Sequence, residues 1–90
     1  TNFTSWLAVH FADCGIRVNA IAPGYMATDL NSALLANEER LAQINARIPA
    51  GRWGTPDDIA KAVVALCDGT FGYTTGQSFI IDGGMHIRKL

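Results

Sequence analysis

Apolar residues in the first stretch of the chain, Phe3, Trp6, Leu7, His10 and Phe11, recur at i, i+3, i+4, i+7 and i+8. That spacing predicts one apolar face of a helix, and Gly15 is suited to the left-handed position that ends it. Residues 16–22 are dominated by β-branched and small apolar side chains and read as a strand, stopped by Pro23-Gly24. Thr28 and Asp29 are placed to cap a short helix through Leu35. Asn37 is placed to cap a second, with Glu38 and Glu39 at its positive end and Arg47 at its negative end, and Pro49 closes the excursion. Thr55-Pro56-Asp57-Asp58 is the clearest helix start, with a hydroxyl at the cap, proline at the first helical position and acids in the first turn. Ile59, Val63, Leu66 and Cys67 form its expected buried face, and Gly69 its stop. Residues 77–82 read as a second strand, ending in Gly83-Gly84.

The order helix, strand, helices, helix, strand implies an α/β fold with a parallel sheet and crossover connections. Two parallel strands leave both faces and edges needing cover that 90 residues cannot easily supply, so the chain is expected to need a larger sheet. It opens on Thr1 rather than methionine, already inside a helical pattern, and is expected to be a piece of a longer protein.

Composition narrows the function classes. The chain is 49% hydrophobic and 17% charged, as an ordinary globular segment is. A net charge of -1 with acids and bases interspersed offers no basic stripe for nucleic acid and no polybasic face for a membrane surface. The apolar run 59–67, interrupted by Lys61, falls short of the roughly 20 residues a bilayer span needs, and no export signal opens the chain. Cys14 and Cys67 belong to no C-x-x-C pair and read as reduced, buried thiols of a cytoplasmic protein. His10 and His86 show no metal-ligand spacing; each is expected to be packed or capped, and no metal is expected.

Ligands of open parallel sheets bind beyond the carboxyl ends of the strands. The loop Pro23-Gly24-Tyr25-Met26-Ala27-Thr28 sits at such an end. Gly24 would let backbone approach a ligand, and Thr28 offers a hydroxyl at a helix start. Taken alone, the same residues serve equally well to end a strand and cap a helix.

Three ordered motifs add to this. Gly15-Ile16-Arg17-Val18-Asn19-Ala20-Ile21-Ala22-Pro23-Gly24, with Thr28 after it, resembles the sixth strand and following loop of the short-chain dehydrogenase/reductase family. Arg52-Trp53-Gly54-Thr55-Pro56-Asp57-Asp58-Ile59-Ala60 resembles its R-x-G-x-P-x-[DE]-[IV]-A segment. Thr75-Gly76-Gln77 through Asp82-Gly83-Gly84 is similar to its last strand. The resemblance implies the C-terminal portion of a Rossmann-type doubly wound parallel sheet, divided into a helix and strand (1–24), a substrate lid (25–50), a helix and last strand (51–84) and a tail (85–90). It also implies hydride transfer between NAD or NADP and a small-molecule alcohol or ketone, in a protein that forms a homo-tetramer. Pro23, Gly24 and the Met26 backbone would lie at the nicotinamide end, and Thr28 at its carboxamide or the pyrophosphate. Tyr25, Leu30 and Leu34 would belong to the lid, with Met26 also near the substrate; for the leucines, packing beneath the lid serves as well.

The family's Gly-rich phosphate loop, catalytic asparagine and serine, and Y-x-x-x-K pair are absent from these residues. Tyr25 and Tyr73 have Asp29 and Gln77, not lysine, four residues on. An unassisted hydroxyl with a pKa near 10 is a poor base at neutral pH, so no catalytic residue is assigned and the chain alone is expected to be silent. Thr1 to Ala12 resembles the continuation of the helix carrying that pair, which places it upstream. The segments 22–28 and 47–54 resemble members acting on 2-deoxy-gluconate, and residues 6–10 members acting on mannonate, both sugar acids. Arg47 or Arg52 could receive the carboxylate, although Arg52 in this motif more often buttresses the loop. Two alternatives stay open: a reductase of 3-ketoacyl groups on acyl carrier protein, and a non-catalytic oligomerisation module. The residue that selects NAD or NADP would fall outside this chain.

Overall fold

The computed structural model describes residues 2–87; Thr1, at the head of the expected first helix, and 88–90 of the expected tail lie outside the described residues. Helix α1 (Asn2–Phe11) runs into a single 3-10 turn, and Gly15 ends it at φ 72°, donating its N–H to Ala12 at 3.0 Å. Strand β1 (Ala20–Pro23) pairs in parallel with β2 (Ser78–Ile81), in the register Ala20 to Ser78 and Pro23 to Ile81. Between them come α2 (Ser32–Leu35), α3 (Glu38–Asn45) and α4 (Pro56–Cys67). The architecture is α/β with a parallel sheet, as expected.

Both strands are shorter than their sequence patterns predict. Residues 16–19 stay outside the ladder because the segment opposite them turns at Gly76, φ 78°. One backbone bond remains there, Gly76 N–H to Val18 O at 2.7 Å, and side chains supply the rest: Thr75 Oγ1 accepts the Val18 N–H at 3.0 Å, and Asn19 receives the Gln77 N–H at 3.1 Å while donating to Thr74 O at 3.1 Å. Ala20 and Gly24 donate to the carbonyls of Gln77 and Ile81 at 2.9 and 3.1 Å. Donors alternate along a strand, so Pro23, which has none, falls where the backbone faces away from β2.

The caps largely follow the expected chemistry. Asn37 Oδ1 accepts the Arg40 N–H at 3.0 Å, and Thr55 and Asp58 form a reciprocal capping box at the start of α4. Thr28 departs from expectation: it is extended before a 3-10 turn (Asp29–Asn31), and its hydroxyl receives the Asn31 side chain at 3.3 Å rather than a helix amide.

The core also lies elsewhere than periodicity places it. Ile44, Ile48 and Trp53 are buried together, with Leu34, Leu35, Leu41 and Met85 against them, beneath the helical excursion and not between helices and sheet. On α1 Ala8 is buried while Phe3, Trp6 and Val9 are exposed; His10 is exposed as well, stacked on Trp6 with ring centroids 4.9 Å apart. Val63 and Cys67 on α4 and Cys14 after α1 are exposed, correcting the buried positions expected for them; both thiols are free. Two strands offer too little surface to cover two amphipathic helices. The radius of gyration, 16.0 Å, exceeds the roughly 12 Å of a compact domain of this length.

Arg52 ties the entrance of α4 to the preceding loop. Its Nη1 donates to Trp53 O at 2.9 Å and to Asp58 Oδ2 at 3.1 Å, while Asp58 Oδ2 also receives the Thr55 N–H at 2.8 Å. Hydrogen bonding from Arg52, then from the Thr55 amide and hydroxyl, holds the Asp58 carboxyl at about 2. A depressed carboxylate contributes stability that is complete above its unfolded pKa, near 4, and is lost as pH falls from about 4 to about 2. Titration of Asp58 followed by carboxyl NMR is therefore expected to show a midpoint near 2, moving up toward 4 in Arg52→Leu; an unchanged midpoint in that variant would remove Arg52 as the cause. Ile48, 1% exposed, is expected on Ile48→Ala to lower stability by about 2–5 kcal/mol, measured as a reduced urea midpoint.

Candidate functional site

The parallel register brings the carboxyl ends of β1 and β2 side by side, and the chain leaves them through loop 23–28 and turn 82–86. Between these segments lies a cleft of about 180 Å³, bordered by Met26, Arg52, Gly54, Ile81, Asp82 and Gly83. A Cβ on Gly24 would lie 2.6 Å from Asp82 Cβ and 2.9 Å from its Cα. The close backbone approach that Gly24 permits in this structure is thus to Asp82.

The loop is held by backbone on its other side. Ala27 donates to Gly54 O at 2.8 Å and Gly54 to Tyr25 O at 2.9 Å, so Met26 and Gly54 form a parallel bridge. Asn31 Nδ2 donates to the Met26 carbonyl at 2.7 Å and also reaches the Thr28 hydroxyl. That carbonyl is therefore already committed. The Thr28 oxygen acts as an acceptor here, which leaves its proton available for donation to something else. Tyr25 is 37% exposed with its ring centroid 5.0 Å from that of Trp53.

The structure thus gathers Pro23, Gly24, Met26 and Thr28 along one edge at the strand ends and sets Tyr25 beside them. The two leucines part company. Leu34 packs against Ile44, Ile48 and Trp53, whereas Leu30 is 97% exposed. Of the two arginines considered for a carboxylate, Arg52 is engaged by Asp58 and the Trp53 carbonyl and acts as the buttress its motif suggests.

Asp82 also borders the cleft, and its place at the end of a strand pattern gives it no role by itself. Burial pushes its carboxyl up, but the Gly84 amide and the side chain and amide of His86 outweigh burial and hold it below the usual carboxylate range. The i, i+4 spacing of Asp82 and His86 was the available signal. With its oxygens already receiving these donors, Asp82 is a structural acceptor and not a free base. No group of three or more His, Cys, Asp or Glu suited to a metal occurs among the described residues. What the arrangement offers a ligand is a hydroxyl donor and close-packed backbone at the mouth of a parallel sheet.

The chain spans about a third of the length of the curated relatives it matches. It is 47% identical over 85 residues to a 2-dehydro-3-deoxy-D-gluconate 5-dehydrogenase of Escherichia coli, covering 94% of this chain and 34% of that protein. It is 45% identical over 82 residues to a 3β-hydroxysteroid dehydrogenase of Eggerthella lenta, covering 91% and 31%. Among solved structures, a provisionally assigned 2-deoxy-D-gluconate 3-dehydrogenase from Agrobacterium tumefaciens, with bound NADP, superposes with a TM-score of 0.88 at 46% identity, over 97% of this chain and 35% of that one. Residues 1–86 match the family described as enoyl-(acyl carrier protein) reductase. A match over that extent, joined to motifs that meet at the carboxyl ends of two parallel strands and to the Rossmann folds of such relatives, shows that the chain belongs to the short-chain dehydrogenase/reductase family.

Proposed function

We propose that this chain is the nicotinamide-end portion of an NAD- or NADP-dependent oxidoreductase that moves hydride between the cofactor and a secondary alcohol or ketone of a sugar acid such as 2-deoxy-gluconate. One observation carries the reading: loop 23–28 and turn 82–86 meet in a cleft at the carboxyl ends of parallel strands, in a chain that belongs to this family. The residues fit the cofactor, since the Thr28 hydroxyl keeps a proton to donate at the mouth of the parallel sheet. When bound, the nicotinamide supplies the hydride donor or acceptor. Pro23 and Gly24 form the wall beside it, Met26 is held in place by Gly54 and Asn31, and Thr28 binds its carboxamide or the pyrophosphate.

Tyr25 and Leu30 are exposed and suit the lid over the substrate, while Leu34 serves as the lid's anchor in the core. The sugar-acid assignment is supported by the substrates named for the Escherichia coli and Agrobacterium relatives. The steroid enzyme at similar identity makes the substrate assay decisive. The 90 residues carry no tyrosine with a lysine four positions on, so the chain alone is read as catalytically silent and the domain 1–90 as the C-terminal part of one Rossmann unit. Exposed Val64 and Ile80 support assembly of the complete protein into a homo-tetramer through α4 and β2. Free Cys14 and Cys67 support a cytoplasmic location, and no helix among the described residues is long and apolar enough to cross a membrane.

In the complete polypeptide, NAD- or NADP-coupled turnover of 2-deoxy-gluconate or a related keto acid is expected; turnover of 3-ketoacyl thioesters or 3-ketosteroids with none of sugar acids would overturn the substrate class. Gly24→Ala, whose methyl would overlap Asp82, is expected to destabilise the paired strand ends by about 1–3 kcal/mol and weaken cofactor binding, read by denaturant titration and nucleotide-binding isotherms. Undiminished binding in that variant would remove Gly24 from the cofactor wall.

A further inference from the structure

The turn beyond β2 carries a network that the proposed cofactor contacts leave unused. Asp82, its side chain 10% exposed, accepts the Gly84 N–H through Oδ1 at 2.9 Å and the His86 N–H through Oδ2 at 2.9 Å. His86 Nδ1 lies 2.9 Å from Oδ2 and 3.1 Å from Oδ1. An ionised carboxylate only accepts, so Nδ1 carries the proton and the Asp82 oxygens are shared among three donors.

This turn bears directly on the segment that closes the lid. Ala50 donates its N–H to Gly83 O at 2.9 Å. A Cβ on Gly83, at φ 66°, would lie 2.8 Å from Ile48 Cγ2, and one on Gly84, at φ 89°, would lie 3.1 Å from Pro49 Cγ. Backbone packed that closely against the most deeply buried side chain of the core cannot shift without moving its neighbour. Ala50 and Asp82 both border the cleft, so the turn couples the strand end to the lid's exit.

We infer that His86 is a positioning residue for the cleft: by holding Asp82 it fixes turn 82–86, and through Gly83 and Gly84 it fixes segment 48–50 at the cleft's border. The weight of this for catalysis rests on the nicotinamide reading above, but the contact itself does not. A mere surface pair at i, i+4 would leave the lid's exit untouched, and that difference is measurable.

Amide hydrogen exchange in the complete polypeptide, read by NMR, separates the cases. Asparagine places an amide N–H where the imidazole has Nδ1, so His86→Asn keeps the donor and His86→Leu removes it. Exchange at Ala50 is expected to quicken by roughly tenfold in His86→Leu, the scale of one lost hydrogen bond to a charged group, and to stay near wild type in His86→Asn. Ala20, at the far end of the sheet, serves as the reference and should not change. Unchanged Ala50 exchange in His86→Leu, equal loss in both variants, or equal quickening at Ala20 and Ala50 would each overturn the inference. NAD+ and NADP+ added to the same samples test the other reading independently. If Ala50 behaves as expected while neither nucleotide perturbs Gly24 or Thr28 in any sample, the cofactor assignment fails and the positioning contact stands.

Discussion

The approach of two backbones at their carboxyl ends governs this structure. Gly24 and Asp82 sit so close that a single methyl on the former would overlap the latter, and the two segments that border the cleft leave the sheet at that contact. With β1 and β2 drawn together there, loop 23–28 is directed toward Gly54, and turn 82–86 toward Ala50. In the structure the glycine serves close packing between the strand ends, since the space a side chain would take is filled by Asp82.

Local chemistry was the part of the fold most legible in the sequence. The Thr55 capping box, the Asn37 cap and the left-handed Gly15 all depend on neighbours within a few positions, and each formed where the residues placed it. Strand ends were less legible because their limits depend on a partner dozens of residues away. Residues 16–19 have the composition of a strand but face a turn at Gly76, and Asn19 supplies by side chain what the ladder does not. The apolar stripes of α1 and α4 meet the structure only in part: Leu7, Phe11, Ile59 and Leu66 are half-buried, whereas Phe3, Trp6, Val63 and Cys67 are exposed and Ala8, outside the expected stripe, is the buried residue of α1. Periodicity reports which face wants burial and says nothing of whether a surface is there to receive it.

The candidate site divides in the same way. The place of Pro23, Gly24, Met26 and Thr28 in the loop after a strand is legible from the order of elements, while their role toward a cofactor is implied by the family resemblance and not by that order. Asp82 was passed over because its role comes from three donors that only the folded turn assembles. Leu30 and Leu34, four residues apart and alike in sequence, ended in opposite environments because a 3-10 turn replaces the first turn of the expected helix and resets which side chains face inward.

Pro23 has a consequence for the other edge of β1. Its position in the alternation points its missing N–H away from β2, so any strand laid along that edge finds an acceptor there with no donor beside it. The seam would hold at Ile21 and come undone at the strand's last residue. A gap opened by covalent structure in this way requires no ligand to pry it apart, and it falls at the mouth of the sheet, where the chain turns into the loop that borders the cleft.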